Sequence, residues 1–181
     1  MKTIFVHGGS RGSKFINGLI KELAPKLLTD FKVHHQTGEA DYQEMVAFRK
    51  SLPDNLRDNY VVDPYLLADK WVDSLREADV VVGRAGANVC SELLVLKKPA
   101  ILIPLRYSYL NEQYENAKVL ENLGVAEVIE QKKATSELLY QTIIKMDKNL
   151  VQYQNAFLGY INPDLKAADN LLDLVLKVAR L

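Results

Sequence analysis

The residues best suited to chemistry lie together in Gly83-Arg84-Ala85-Gly86-Ala87-Asn88-Val89-Cys90-Ser91-Glu92. A β-branched run, Asp79 to Val82, leads into this stretch with the density of a buried parallel strand. Behind it Val89, Leu93, Leu94 and Leu96 recur at helical spacing. The reading is strand, tight turn, helix start. Gly83 and Gly86 are expected to take backbone angles that other residues resist and to leave room for a ligand. The N–H groups of Ala87, Asn88 and Val89 point out of a new helix N-terminus, a natural seat for phosphate. Arg84 adds a fixed positive charge beside it. Glu92, inside the helix, is placed to accept two hydrogen bonds from a vicinal diol such as a ribose. Phosphate at the turn and ribose further along the helix describe a nucleotide site.

Other polar groups point to the same chemistry. Gly8-Gly9-Ser10-Arg11-Gly12-Ser13 is a second glycine turn after a strand, with a hydroxyl and a cation. It matches neither the dinucleotide glycine fingerprint nor a Walker P-loop, so it is a phosphate turn or simply a tight connection. Tyr65-Leu66 follows a strand end, where a ring offers a stacking platform for a base and the Leu66 backbone could read its edge; packing on the core is the alternative. Gln113 and Asn116 share a helix face, and their amides suit sugar hydroxyls. His7, His34 and His35 show no metal-ligand spacing and read as strand residues or local hydrogen-bond partners. Cys90 reads as a buried, inert thiol, although a helix start lowers some thiol pKa values.

The elements that position these residues alternate. Strands are expected at Thr3–His7, Phe31–His35, Tyr60–Asp63, Asp79–Val82, Ala100–Leu105 and Ala126–Ile129, with helices between them. Pro25 is expected to end or kink the first helix near Leu23, with a short continuation to Leu28. Gly124 reads as a C-cap, Thr135 or Ser136 as an N-cap, and Pro163-Asp164 as the start of the last helix. That helix carries Ala168, Leu171, Leu172, Val175, Val178 and Ala179 on one face, fit for ordinary core packing or for covering a second domain or partner. The pattern predicts an α/β fold with a doubly wound, six-stranded parallel sheet. It is one domain, with a β/α core over about 1–148 and C-terminal helices over 149–181. The polar, glycine-bearing segments all follow strands and so gather at the carboxyl rim, where such sheets bind ligands.

Composition sets the outer limits. The chain has 181 residues, enough for one domain with a core, with 48% hydrophobic and 25% charged residues. Its formal net charge of zero argues against binding nucleic acid through bulk charge. The single cysteine fits a reducing compartment. No apolar run reaches the roughly 20 residues of a membrane span, and Met1-Lys2 leads into a strand with no signal-peptide pattern.

Taken together, Gly8-Gly9-Ser10-x-Gly12, His35-Gln36-Thr37-Gly38, Pro64-Tyr65-Leu66, Arg84-Ala85-Gly86-Ala87 with Ser91-Glu92, Lys98-Pro99-Ala100-Ile101-Leu102-Ile103-Pro104 and Gln113-x-x-Asn116-Ala117 resemble the C-terminal, donor-binding domain of the MurG-like UDP-N-acetylglucosamine transferases. The match runs from about Thr3 to Gln131 and weakens in the final helices. The resemblance implies a Rossmann-like half of a GT-B glycosyltransferase that inverts the sugar and moves GlcNAc to a lipid-pyrophosphate-linked acceptor, lipid I to lipid II in peptidoglycan synthesis. It implies Ser10 near the diphosphate, Leu66 at the uracil, Glu92 on the ribose, Gly86, Ala87 and Asn88 at the α-phosphate, and Gln113 and Asn116 at the sugar. Arg11, Gly12, Tyr65, Arg84 and Glu112 complete the expected UDP-GlcNAc site. No metal and no cofactor are implied. The catalytic base belongs to the family's N-terminal, acceptor-binding domain, which the match does not include, so no catalytic residue is expected in this chain. The implied location is cytoplasmic, peripheral at the inner face of the plasma membrane. Glu112 stands where the family usually has Gln or His, Asn111 where Asp is common, and the segment from Tyr65 to Ala78 is slightly longer. The rival readings are the soluble subunit of a naturally split transferase that needs a membrane-anchored partner, resembling the eukaryotic enzyme that adds the second GlcNAc to a dolichol-linked sugar, and a non-catalytic nucleotide-sugar-binding module. An epimerase of the same fold is a further one.

Overall fold

Strand alternation places successive side chains on opposite faces, and here both faces are apolar. In the computed structural model, which describes residues 1–105, 107, 109–161 and 166–179, Ile4 and Val6 of β1 (Lys2–His7) face one core cluster and Phe5 the other. Val80 and Val82 of β4 (Val80–Gly83) likewise oppose Val81. Such strands need helices on both sides. α1 (Lys14–Leu27), α2 (Glu39–Ser51) and α7 (Ser136–Lys148) contribute to the first cluster. α4 (Ala68–Glu77), α5 (Ala87–Leu96) and α6 (Glu112–Asn122) contribute to the second. The short α3 (Asp54–Arg57) precedes β3, and α8 (Leu150–Asn155) follows α7.

With β2 (Phe31–Gln36), β3 (Tyr60–Asp63), β5 (Ala100–Leu102) and β6 (Ala126–Val128), the described residues form one six-stranded parallel sheet in the order β3-β2-β1-β4-β5-β6. The chain winds outward from β1 to β3, then returns to the other side of β1 and winds outward through β4 to β6. The order therefore reverses between β1 and β4, where His7 and Gly83 are register partners at the strand ends. A crevice at such a reversal is the place where open α/β sheets bind ligands.

Several local expectations change. α1 does not end at Leu23 but runs through Pro25 to Leu27, in line with the expected continuation to Leu28, because Ala24, Leu27 and Leu28 are buried and anchor its last turn against the core. β5 stops at Leu102; Ile103 still donates to the Gly83 carbonyl, but Pro104 has no N–H to extend the ladder. Gly83 and Gly86 do not lie in the left-handed region; Gly86 is extended, with φ −65° and ψ 150°. Thr135 is the N-cap of α7, accepting from the Leu138 N–H at 3.1 Å. Gly124, at φ +75°, sits one residue past the C-cap of α6. The start expected at Pro163-Asp164 lies outside the described residues. The last helix, α9 (Ala167–Ala179), does not pack on the core: Leu171, Leu172, Leu174, Val175 and Val178 are all more than half exposed. Among the described residues no helix is long and apolar enough to cross a membrane.

Candidate functional site

Three loops at the carboxyl rim interlock through backbone. Gly12 has φ +76°, and a Cβ there would lie 2.1 Å from the Thr37 carbonyl oxygen. Gly38 has φ +82°, and its Cβ would lie 2.3 Å from the Arg11 carbonyl oxygen. The turns after β1 and β2 thus pack glycine against glycine, in a conformation that L side chains avoid. The Thr37 and Gly38 N–H groups donate to the Asp63 and Pro64 carbonyls, both at 2.9 Å, which joins the loop after β3 to the other two. Beneath them His35 is fully buried. The Asn17 amide N–H groups donate to the Thr37 carbonyl and to Asp41, which leaves its oxygen to accept from His35 Nε2–H at 2.9 Å. His35 Nδ1 therefore accepts from the Tyr60 hydroxyl at 2.8 Å. Burial first, then the neighbouring His34 and His7, lowers the His35 pKa to about 3, so the ring is neutral.

Across the crevice α5 begins at Gly86 without a side-chain cap. The first N–H groups of a helix lack intrahelical partners, and the dipole favours an anion there. These N–H groups face a cavity of about 800 Å³ whose opposite wall is the Gly8–Ser13 turn. Nothing lies within 4 Å of a Cβ built on Gly86, so this glycine opens space toward a ligand. Ser10, Arg11, Gly12, Ala87, Asn88, Glu112 and Gln113 also line the cavity.

Arg84 reaches its edge but is 7% exposed and ties three segments together. Its Nη1 donates to the Ile103 carbonyl at 2.9 Å and to Gln131 Oε1 at 2.8 Å, and its Nη2 donates to Ser13 Oγ at 2.8 Å. Burial lowers its pKa to about 10, which leaves it charged at neutral pH. Ser13 also accepts from the Ile16 N–H as the N-cap of α1. The guanidinium is thus both a brace under the turn and a positive charge beside the cavity.

A second hollow of about 320 Å³ continues from the first past Gly9, Ser10, Asn88 and Val89. Tyr65, Leu66, Trp71 and Glu92 line it. Leu66 is anchored with 5% exposure, whereas Tyr65 is 52% exposed and free to lie over a planar group. Glu92 accepts a hydrogen bond from Trp71 Nε1–H at 2.7 Å. Gln113 Oε1 accepts from the Leu105 N–H at 3.0 Å, which holds the loop after β5 against the large cavity. Asn116 lines neither hollow; its amide donates to the Ala85 carbonyl at 3.2 Å and steadies the turn before α5. The other twelve residues expected at the site line one hollow or both.

The profile of the glycosyltransferase family 28 C-terminal domain matches residues 3–169. The chain belongs to this family. A UDP-N-acetylglucosamine–N-acetylmuramyl-(pentapeptide) pyrophosphoryl-undecaprenol N-acetylglucosamine transferase of Desulforamulus reducens is 38% identical over 160 residues, 84% of this chain and 42% of the relative. Its counterpart in Clostridium kluyveri is 33% identical, over 96% of this chain and 46% of the relative. Acinetobacter baumannii MurG superposes with a TM-score of 0.81 at 25% identity, covering 97% of this chain and 49% of that one. A Neisseria meningitidis UDP-GlcNAc 2-epimerase, at 18% identity and TM-score 0.64, shares the fold. The chain spans about half the length of the curated relatives it matches. For this family 28 chain the fold is therefore the Rossmann-like half of a GT-B glycosyltransferase.

Three supporting residues escaped the sequence reading. In the sequence Trp71 only marks a helix, together with Leu67, Val72 and Leu75, although it lies six residues past Tyr65. Ser13 and Gln131 hold Arg84, and Gln131 comes from the loop after β6, too far along the chain for spacing to reveal. His7 is the local hydrogen-bond partner the sequence suggested: its Nδ1 accepts from the Gly9 N–H at 3.2 Å, and a Cβ on Gly83 would strike its ring at 2.1 Å. Gly83 is a glycine because His7 fills the space beside it. Cys90 is buried and its pKa is pushed up to about 12 by that burial, in line with an inert thiol.

Proposed function

We propose that this chain is the donor-binding half of a UDP-GlcNAc-dependent, inverting glycosyltransferase acting on a lipid-pyrophosphate-linked acceptor, the lipid I to lipid II step that the names of its relatives describe. The observation that carries the reading is the uncapped N-terminus of α5 at the sheet's point of reversal, facing the Gly8–Ser13 turn, with Glu92 on the same helix in the adjoining hollow. Phosphates sit at the helix start, the nucleoside lies in the smaller hollow with its ribose on Glu92, and the sugar occupies the larger one by Glu112 and Gln113. An acceptor hydroxyl attacks the anomeric carbon as the bond to UDP breaks. The α5 N–H groups and the Arg84 charge stabilise the leaving diphosphate. The base that takes the acceptor proton belongs to the acceptor-binding half, so this chain alone binds donor and turns over little or none. Association with the inner face of the plasma membrane follows from the acceptor.

Calorimetric titration with UDP, UDP-GlcNAc and UDP-galactose, beside Glu92→Ala, tests this. Binding that prefers UDP-GlcNAc is expected, with affinity for all three ligands weakened about tenfold or more in the variant through loss of a charged hydrogen-bond acceptor for their common ribose. Absence of binding to all three would sink the reading, as would robust transfer by this chain unaided.

The exposed apolar face of α9 favours a second form of the same proposal, in which the acceptor half is a separate, membrane-anchored subunit and α9 contributes to docking. A non-catalytic module is excluded if the chain and an acceptor half together transfer GlcNAc.

A further inference from the structure

The bond from Trp71 to Glu92 links the donor hollow to the centre of the sheet. Indole nitrogen is a donor only, so the direction is unambiguous: Nε1–H donates to Glu92 Oε2 at 2.7 Å, from α4 to α5. The indole itself is held from behind. Phe5 meets it edge to face at 5.2 Å between centroids and 74°, and His7 at 5.1 Å and 79°. Both belong to β1, and both are fully buried. The Trp71 backbone N–H is bonded to the Leu67 carbonyl at 2.8 Å, in the first turn of the helix that follows Leu66. One rigid strand therefore fixes the indole, and the indole fixes one oxygen of a half-buried carboxylate that lines the nucleoside hollow with it.

We infer that Trp71 is a positioning residue for ribose recognition, holding Glu92 so that its remaining acceptor sites meet the vicinal hydroxyls of a ribonucleoside diphosphate. The inference rests on the proposal that the chain binds a UDP-sugar. A carboxylate has about four lone-pair sites on two oxygens; Trp71 takes one on Oε2 and leaves Oε1 open. An unheld glutamate has three rotatable bonds to order when the ligand arrives, and holding it beforehand removes that cost from binding. Because the effect acts through the hydroxyls, it appears as discrimination between ribose and deoxyribose, and not as a uniform loss of affinity.

Trp71 is the only tryptophan in the chain, so its emission reports ligand entry into the hollow and labelling by a tryptophan analogue alters this position alone. The experiment titrates wild type, Trp71→Phe and Glu92→Ala with UDP and with 2′-deoxy-UDP. Wild type is expected to prefer UDP by about tenfold or more, as expected when a site built for a hydroxyl meets a ligand lacking it. Trp71→Phe keeps a ring against Phe5 and His7 but has no N–H. It is expected to lose about tenfold for UDP and little for the deoxy ligand, so that the preference collapses toward that of Glu92→Ala. Should Trp71→Phe fold poorly, benzothienylalanine incorporated in place of tryptophan keeps the bicyclic shape and removes only the N–H, with the same expectation. A variant that retains the full wild-type preference, or that binds UDP more tightly because the indole had been competing for Glu92, overturns the inference and leaves the donor proposal standing. Wild type that binds neither ligand overturns both.

Discussion

His7 and His35 occupy positions where burial disfavours a proton. Burial and then the Arg84 charge lower the His7 pKa to about 4, and His35 lies at about 3. Both rings are neutral in the fold, while in the unfolded chain they protonate near their ordinary value of 6.5. Their contribution to stability is therefore fully present above pH 6.5 and is lost as pH falls toward the folded values. Each histidine contributes a slope of at most about 1.4 kcal/mol per pH unit in that window. Carboxylates with lowered pKa values, such as Glu127 and Glu130, add their own losses mainly below about their ordinary value of 4.5. The interval from pH 6.5 to 4.5 thus isolates the histidines. His7→Asn keeps an acceptor for the Gly9 N–H and removes one titration. Urea midpoints measured across this interval are expected to show a slope near half that of wild type. An unchanged slope would mean that His7 takes up its proton in the folded state.

The turns after β1 and β2 act as one element, because each glycine fills the space a side chain would need on the other. Gly12→Ala forces a φ of +76° on an L residue and sets a methyl 2.1 Å from the Thr37 carbonyl oxygen, which is backbone and cannot swing aside. The conformation alone costs about 1–2 kcal/mol. With the clash, a loss of about 2 kcal/mol or more is expected, or roughly 4–8 °C in Tm for a chain of this size. The displaced turn also withdraws the wall of the phosphate cavity, so UDP affinity falls with stability in calorimetry and melting. A Gly12→Ala protein with wild-type Tm would show that the interlock contributes nothing. This element also marks the limit of what the sequence made legible. The strands, the alternation and the rim that collects the polar turns follow from local periodicity, and they came through with changes of one to three residues, the largest at β5. Gly8–Ser13 and His35–Gly38 were both recognised, but their contact was not, because close approach between loops leaves no trace in spacing. Pro25 was half legible: the local rule says kink or stop, the apolar residues on to Leu28 say continue, and the burial of Ala24, Leu27 and Leu28 decides for the second. Arg84 was legible as a charge near phosphate; its partners Ser13 and Gln131, 71 and 47 residues away, were not.

At the scale of the molecule the unbalanced feature is α9. A 13-residue helix is marginal in water unless something covers its apolar face. Here Leu171 is 61% exposed and Val178 is 76% exposed, and the chain spans about half the length of its relatives. Neither hollow of the donor site is lined by α9. Donor binding and contact with an acceptor half are therefore separable on this chain. Ending the protein at Ile161 is expected to leave UDP-GlcNAc affinity within about twofold of the full chain, since distant and independent sites combine additively. The same deletion is expected to reduce transfer about tenfold or more when the acceptor half is supplied as a separate protein, and to weaken the pull-down of one half by the other. Loss of donor affinity on deletion would place α9 in the donor domain's own framework. Undiminished transfer would show that the acceptor half docks elsewhere, and the apolar face would then need another occupant.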